Sequence, residues 1–562
     1  MTLRVGWLAL LAFSLPFELK ATWFSVGPVG VTNLECLLLP YILWAATAQR
    51  GLKLDRIAVA GLAWIATLTA SSLLASQDHL ASLRFTGRLA TAVLVFLLAR
   101  RDLAPRRARA WVLSALLGGG MAAALLGILE TFRWADFTSW MHLFRDKIAT
   151  VNGELRLTSS WQHANTAAGA LELLAVLAGA EAFRLGLERR WDRAIAFASV
   201  TALLTSALFH TLSRGGMVAA LSALVLVTLL ALRTADRGLR PRLLVMGLVM
   251  LAGPPLFALA SNPILRGRLT RAEGPTHGVA YAVDSLAAAT MGEELRLPVR
   301  LHNTRTFTWR RHAPHEVNLS YHLLDANQRE VVFDGPRTPL PRDVRAGEDL
   351  VLSALVIAPK EEGDYVVLWD LVQEGVSWFS QMQNPSARTF LSVRGERERA
   401  AVSVASWARG RSAQRDPWPE LKLVGRSTLW PLGVSYLCAQ PLLGIGPDQF
   451  RHRYAETLPG EGYDPRLHAN SLYIESLATT GLLGTAGLAC WIGSIAAALV
   501  GRLRRPRGDL AAAGGLGLLT AYLVHGLLDC MLEPHAVSLT LALGLAASGL
   551  GDPGDVRTEG RA

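Results

Sequence analysis

The sequence predicts a polytopic α-helical membrane protein of about 12 transmembrane helices, with an inserted extracytoplasmic β-sandwich. Three observations predict it. Of the 562 residues, 51% are hydrophobic and 18% charged, where soluble domains carry about 25% charged residues. Apolar runs of about 20 residues, long enough to cross a bilayer, recur along most of the chain. Between 261 and 471 they stop, and short alternating runs rich in Val, Leu and Tyr replace them.

The expected spans are 5–22, 28–48, 57–75, 84–99, 109–130, 164–183, 192–210, 214–232, 242–260, 472–500, 508–529 and 535–550. Basic clusters follow every second span, as in Arg100-Arg101, Arg189-Arg190 and Arg504-Arg505. Such loops face the cytoplasm, so both termini are expected inside and the long 261–471 segment outside. The first span shows no small-residue cleavage site and reads as retained. The organisation is then helices 1–9 in 1–260 and an insert in 261–430 with a β-sandwich at about 290–395 and a charged linker. An outer loop follows in 431–471, helices 10–12 in 472–550 and a cytoplasmic tail in 551–562. The sandwich expectation rests on VNLSYHLLD, DLVLSALVIAP and GDYVVLWDLVQEG, separated by turn residues and immunoglobulin-like in extent.

The net charge of +11 sits in short clusters between apolar runs, which points to membrane topology and away from nucleic acid as a partner. The four cysteines are scattered, with no metal-ligand spacing, and three lie in apolar runs, where a small buried hydrophobe is the plain reading. No phosphate-cradling glycine loop, no HExxH and no paired aspartates of the metal-holding kind occur, and no metal or cofactor is expected.

The candidate chemistry gathers where helices begin on the outer face. Ser213 is a plausible N-cap, Arg214 offers a permanent cation, and Gly215 and Gly216 allow a bulky group to approach the backbone. A helix N-terminus adds unpaired N–H groups that suit an anion. The plain alternative for Arg214 is snorkelling at a span end. His468 and Asn470 precede the tenth span, and Glu475 lies seven residues after His468, on the same face if the helix already includes it. A neutral histidine accepts a hydroxyl proton. Arg426 stands in the preceding loop, where a solvated arginine is the plain reading. His163 and Asn165 mark another outward helix start, with capping as the alternative. Arg84 and Arg88 lie four apart near the outer surface, suited to a lipid headgroup or a second phosphate, or to snorkelling.

Taken in order, TLSRGG opening a span, R-x3-W with P-L-L-G-I-G-P-x2-F, and H-A-N-S-L-Y-I-E with G-L-L-G resemble the O-antigen ligase and polymerase superfamily over most of the membrane part. The resemblance implies a GT-C-like, inverting, metal-independent glycosyltransferase of the bacterial inner membrane with an extracytoplasmic active site. The implied donor is a glycan on undecaprenyl diphosphate. The implied acceptor is a hydroxyl of lipid A–core, of another glycan or of a protein, with membrane lipids around it. By motif position, Arg214 and Arg426 would bind the diphosphate and His468 would activate the acceptor. The sequence departs from the pattern at Asn470-Ser471, where the family places a histidine. An amide is no base at neutral pH, so Asn470 would only orient the acceptor. Ligase, polymerase and protein oligosaccharyltransferase remain alternatives. A 12-span transporter is disfavoured, because no charge pairs at mid-span and no half repeat are evident.

Overall fold

The computed structural model describes the chain apart from residue 1 and residues 27–28, 50–53, 132–140, 142, 146–149, 152–153, 262–276, 313–315, 326–329, 333, 375–376, 381–383, 385, 396–425, 458–467, 506–508 and 552–562. The expected charged linker and C-terminal tail therefore lie mostly outside the described residues.

Each expected span has a helix: α1 (Leu3–Ser14), α2 (Asn33–Ala48), α3 (Arg56–Leu74), α4 (His79–Asp102), α5 (Arg106–Thr131), α6 (Ala164–Leu187), α7 (Trp191–His210), α8 (Arg214–Thr234) and α9 (Arg240–Ser261). Two short helices, α10 (Arg426–Ala439) and α11 (Phe450–Thr457), precede α12 (Leu472–Leu503), α13 (Leu510–His525) and α14 (His535–Ala547). By length and composition, seven of the described helices (α3, α4, α5, α7, α8, α9 and α12) are long and apolar enough to cross a membrane, and four shorter apolar helices accompany them. Several starts are written in the sequence: Asp55, Asp78 and Asp509 accept hydrogen bonds from Ala58, Ala81 and Ala511 N–H at 2.8, 3.0 and 3.0 Å.

Three boundaries differ from expectation by five residues or more, among them the start of α4 at His79, which Asp78 caps, where 84 was expected. α1 ends at Ser14, because Pro16 cannot continue it. α2 begins at Asn33, because the preceding residues form an antiparallel hairpin, β1 (Phe24–Val26) on β2 (Val29–Val31), and Thr32 with Glu35 closes a capping box. At the centre of the bundle α6 is buried along nearly its whole length, packed by α7, α8 and α13.

α12 is not one continuous helix. At Gly481 the backbone turns to φ 64°, ψ −165°. That break leaves helix carbonyls and amides without their usual partners. The 441–446 loop takes them: Ile445 and Gly446 N–H donate to Ala478 and Thr479 O at 3.0 and 2.9 Å, and Leu482 and Leu483 N–H donate to Pro441 and Leu442 O at 2.8 and 3.1 Å. A Cβ at Gly481 would sit 2.5 Å from the Leu442 carbonyl, so glycine is required both for the positive φ and for the close approach. PLLGIG and GLLG are thus two halves of one backbone-to-backbone joint.

The insert folds as two facing sheets. After two short strands in the outer loop, β3 (Thr150–Val151) and β4 (Glu154–Leu155), it begins with β5 (Val279–Val283), β6 (Leu286–Thr290) and β7 (Glu294–Asn303). β8 (Val317–Leu324), β9 (Glu330–Val332), β10 (Thr338–Pro339), β11 (Asp349–Ile357), β12 (Gly363–Gln373), β13 (Ser377–Trp378) and β14 (Ala387–Arg394) complete it. One sheet runs β10-β8-β12-β14-β6, with β9 and β13 attached, and the other runs β11-β7-β5. Their inner faces meet over Trp309, Trp369, Tyr321, Val299 and Val356. β11 alternates as expected, with Leu350, Leu352, Ala354 and Val356 inward. The sandwich starts at 279, earlier than about 290, because β5 and β6 are alanine-rich and carry little strand signal.

Candidate active site

Chain segments from three other parts of the sequence converge on the turn that follows α13. Leu472 N–H, at the start of α12, donates to Gly526 O at 2.7 Å. Arg426 Nη2 donates to Leu528 O at 2.5 Å, and its Nε to Asn470 O at 3.4 Å. From α8, a Cβ at Gly215 would lie 2.9 Å from His525 Cδ2 and 3.4 Å from Leu528 Cβ. Gly215, the residue after Arg214, and Arg426, 211 positions further on, therefore both lie against Leu528.

The α8 start is built as the sequence suggests. Ser213 caps it, accepting from Gly216 N–H at 3.4 Å. Leu212 turns the chain with φ 56°, and Arg214, the first helical residue, is exposed, with no hydrogen bond or ion pair among the described residues. The two glycines do more than admit a ligand: they let α8 rest on a buried pair, His525 and Glu172. A Cβ at Gly216 would stand 3.3 Å from Glu172 Oε2. His525 Nδ1 and Glu172 Oε2 are 2.9 Å apart with side chains 1% and 0% exposed. Their alignment falls short of a hydrogen bond, so the contact is one of charge and proximity.

Arg426 corrects an expectation: it opens α10 and is not a loop residue. That explains R-x3-W. One helical turn on, Trp430 Nε1 donates to Ala469 O at 3.0 Å, beside the Asn470 carbonyl that Arg426 holds. Pro431, the sixth residue of α10, lies inside the helix and removes one i→i−4 hydrogen bond from its second turn. Asn470 adopts φ 51°, a left-handed conformation that asparagine accepts readily. Its contact with Arg426 is through its backbone carbonyl, so it shapes the 468–471 turn.

His468 precedes the helix, so the expected shared helical face does not bring Glu475 to it. Instead Glu475, in the first turn of α12, folds back: Oε1 lies 3.3 Å from His468 Nδ1 and Oε2 accepts Ala469 N–H at 2.8 Å. Both side chains are buried. Burial alone would push the His468 pKa down, but the Glu475 carboxylate, by charge and hydrogen bond, with Glu533 and Asp448 behind it, outweighs burial and raises it to about 9. The ring is therefore a cation at neutral pH. A neutral base was expected there, and His468 accepts a proton only in the fraction that has lost its own.

The other expected residues divide. Asn165 belongs to the periphery of the site: Arg156 Nη2 donates to its Oδ1 at 2.7 Å, while Arg156 Nε donates to Thr211 O at 2.8 Å, tying the α6 start to the turn before Ser213. His163 is the α6 N-cap by backbone geometry, without a side-chain cap bond. Arg88 joins a different group: its charge acts on Glu18 and His535. Arg84 is exposed and stands apart from the contacts described above.

Glu172, Arg156 and Cys530 were missed as site residues. Glu172 had a signal, a carboxylate in the middle of the GALELLAVLAGA run. Cys530 also corrects the view of the cysteines. It is buried, whereas Cys438 and Cys490 are exposed and Cys36 half-buried. Its donor atom lies with those of His468 and Glu475, all within 4.8 Å of one another, where no metal ligands were expected.

No protein-family model matches the chain, and no curated protein matches it. Among solved structures it is similar to the Pseudomonas fluorescens alkylpurine DNA glycosylase AlkC bound to DNA containing an abasic site analog, at 12% identity over 60% of this chain and 98% of that one, with a TM-score of 0.15. Two expectations are corrected accordingly. Membership of the O-antigen ligase and polymerase superfamily is withdrawn, since no family model and no curated protein supports it. The exclusion of nucleic acid is withdrawn too, since no comparison supports it and a TM-score of 0.15 says nothing of what this chain binds.

Proposed function

We propose that the protein is a membrane-embedded glycosyltransferase, spanning the bacterial inner membrane about 12 times. It moves a glycan from undecaprenyl diphosphate to an acceptor hydroxyl, on lipid A–core or another surface glycan, at the outer face. One observation carries the reading: the α8 start that bears Arg214, Arg426 at the start of α10, and the segment with His468 that precedes α12 pack against the same turn after α13.

The step is a single displacement. The acceptor oxygen forms a bond to the anomeric carbon as the bond from that carbon to the diphosphate oxygen breaks, and the diphosphate leaves with the electron pair. The acceptor proton passes to His468 in its neutral form, and Glu475 stabilises the resulting imidazolium. Negative charge grows on the leaving group, where Arg214, the capped N-terminus of α8 and Arg426 offer fixed positive potential. An apolar slot among α3, α4, α12, α13 and α14, lined by Trp64, Leu89, Trp491, Ile495, Tyr522 and Leu541, suits part of a prenyl chain. Leu532, also on its wall, links the slot to the turn beside Cys530.

The test is glycan transfer by the full chain in liposomes with an undecaprenyl-diphosphate-linked donor. Arg214→Ala, Arg426→Ala and His468→Ala are each expected to lower the rate by about 10²-fold or more while the protein still inserts. Full activity in Arg214→Ala sinks the diphosphate assignment.

A further inference from the structure

We propose that His468, Glu475 and Cys530 form a binding site for one zinc-class divalent cation. The three donors come from three separate places: the turn before α12, the first turn of α12, and the turn between α13 and α14. All three residues are buried, and one donor atom of each lies within 4.8 Å of the other two. Two ligands about 2.0 Å from a tetrahedral metal stand about 3.3 Å apart, and His468 Nδ1 and Glu475 Oε1 are 3.3 Å apart. A small inward movement of the Cys530 sulfur completes three faces of such a site and leaves the fourth open.

The surroundings are those of a held ligand set. Glu475 Oε2 is fixed by Ala469 N–H, which leaves Oε1 to face the histidine. Cys530 N–H donates to Asp529 Oδ1 at 2.8 Å, fixing the backbone that carries the thiol. A further carboxylate stands nearby: Asp448, 5% exposed, takes Arg451 Nη2 on Oδ2 at 2.7 Å, while its buried Oδ1 has no hydrogen-bond partner among the described residues, and its charge acts on His468. The donor set selects the metal class. One sulfur with one imidazole favours zinc and its neighbours over magnesium or calcium, which take oxygen alone. On the transfer reaction proposed above, a bound cation occupies the His468 ring and acts as an inhibitor.

The measurement is zinc binding to the metal-stripped full chain in nanodiscs by titration calorimetry, with cobalt(II) as a spectroscopic probe. One zinc per chain is expected, with a thiolate-to-cobalt charge-transfer band. Cys530→Ser, close to isosteric, and Glu475→Gln should weaken binding by about tenfold or more, and Cys530→Ser should abolish the band. Cys438→Ala and Cys490→Ala should change neither. A thermal-unfolding midpoint for each variant separates lost ligation from lost folding. Absence of stoichiometric zinc, or unchanged affinity in Cys530→Ser, overturns the site. Because binding is read without donor or acceptor, its failure is distinct from failure of the transfer reading.

Discussion

The molecule contains two buried His–Glu pairs near helix ends, and they differ in a telling way. In His468–Glu475 the carboxylate is fully engaged, with one oxygen toward the ring and the other on a backbone N–H, and Arg426 holds the adjoining Asn470 carbonyl. In His525–Glu172 neither side chain is more than 1% exposed, and the first two glycines of α8 seal it from above. The same pair of residue types thus serves two ends. A pair at the margin of a site exchanges protons and charge with a substrate. A sealed pair has no such exit, and its worth lies in what it supports, here the position of Ser213 and Arg214.

The largest expected effect separates the two. His468→Gln should lower glycan transfer by about 10²–10⁴-fold, the range a general base contributes, a loss far beyond the fall in unfolding midpoint that comes from leaving buried Glu475 without its ring partner. Glu172→Ala leaves an uncompensated buried histidine and should cost about 3–5 kcal/mol of stability. Transfer rates together with unfolding in detergent decide the matter. If Glu172→Ala leaves the unfolding midpoint unchanged, the supporting role assigned to the sealed pair is wrong.

Next in size is the pH profile. The folded-state pKa of His468 is raised from 6.5 to about 9. A raised histidine pKa adds stability that is fully present below about 6.5 and is lost as pH rises through about 9. Activity should run the other way. If the neutral ring accepts the acceptor's proton, transfer rises about tenfold per pH unit and levels near 9. Glu475→Gln removes the main raising partner and should move that plateau toward neutral pH. A flat wild-type profile would give His468 the role of a fixed cation toward the diphosphate.

Much of this arrangement was legible in the sequence, and the omissions have physical causes. Span-length apolar runs declared themselves, and Ser213 followed by Arg214 at a run's start identified a capped, charged helix end. α10 was read as loop because Pro431 and the 441–447 turn residues outweighed a short, weakly periodic segment. The break at Gly481 hid because TTGLLG keeps an apolar run going, and only the partner loop that takes over the broken hydrogen bonds makes the break affordable. Glu475 met His468 by folding back across a helix start, which no face-counting rule anticipates. Motif order suggested a family that the comparisons do not support, so the case for function rests on the geometry of Arg214, Arg426 and His468.

The smallest effect concerns Gly215, and it bears directly on the sealed pair. A Cβ there meets the His525 ring at 2.9 Å and Leu528 Cβ at 3.4 Å, so Gly215→Ala must push the ring or lift α8 by a few tenths of an ångström. Overpacking of this kind costs about 1–3 kcal/mol. A guanidinium displaced by less than 1 Å should lose about tenfold in transfer, since a full 1 Å costs about 10²-fold. Arg84→Ala, at an exposed residue outside the contacts that build the site, is the matching control and should leave transfer unchanged. The two variants together test whether the start of α8 is positioned from below. If Gly215→Ala transfers glycan at the wild-type rate, the sealed pair does not set the place of Arg214, and the contrast between the two pairs loses its structural half.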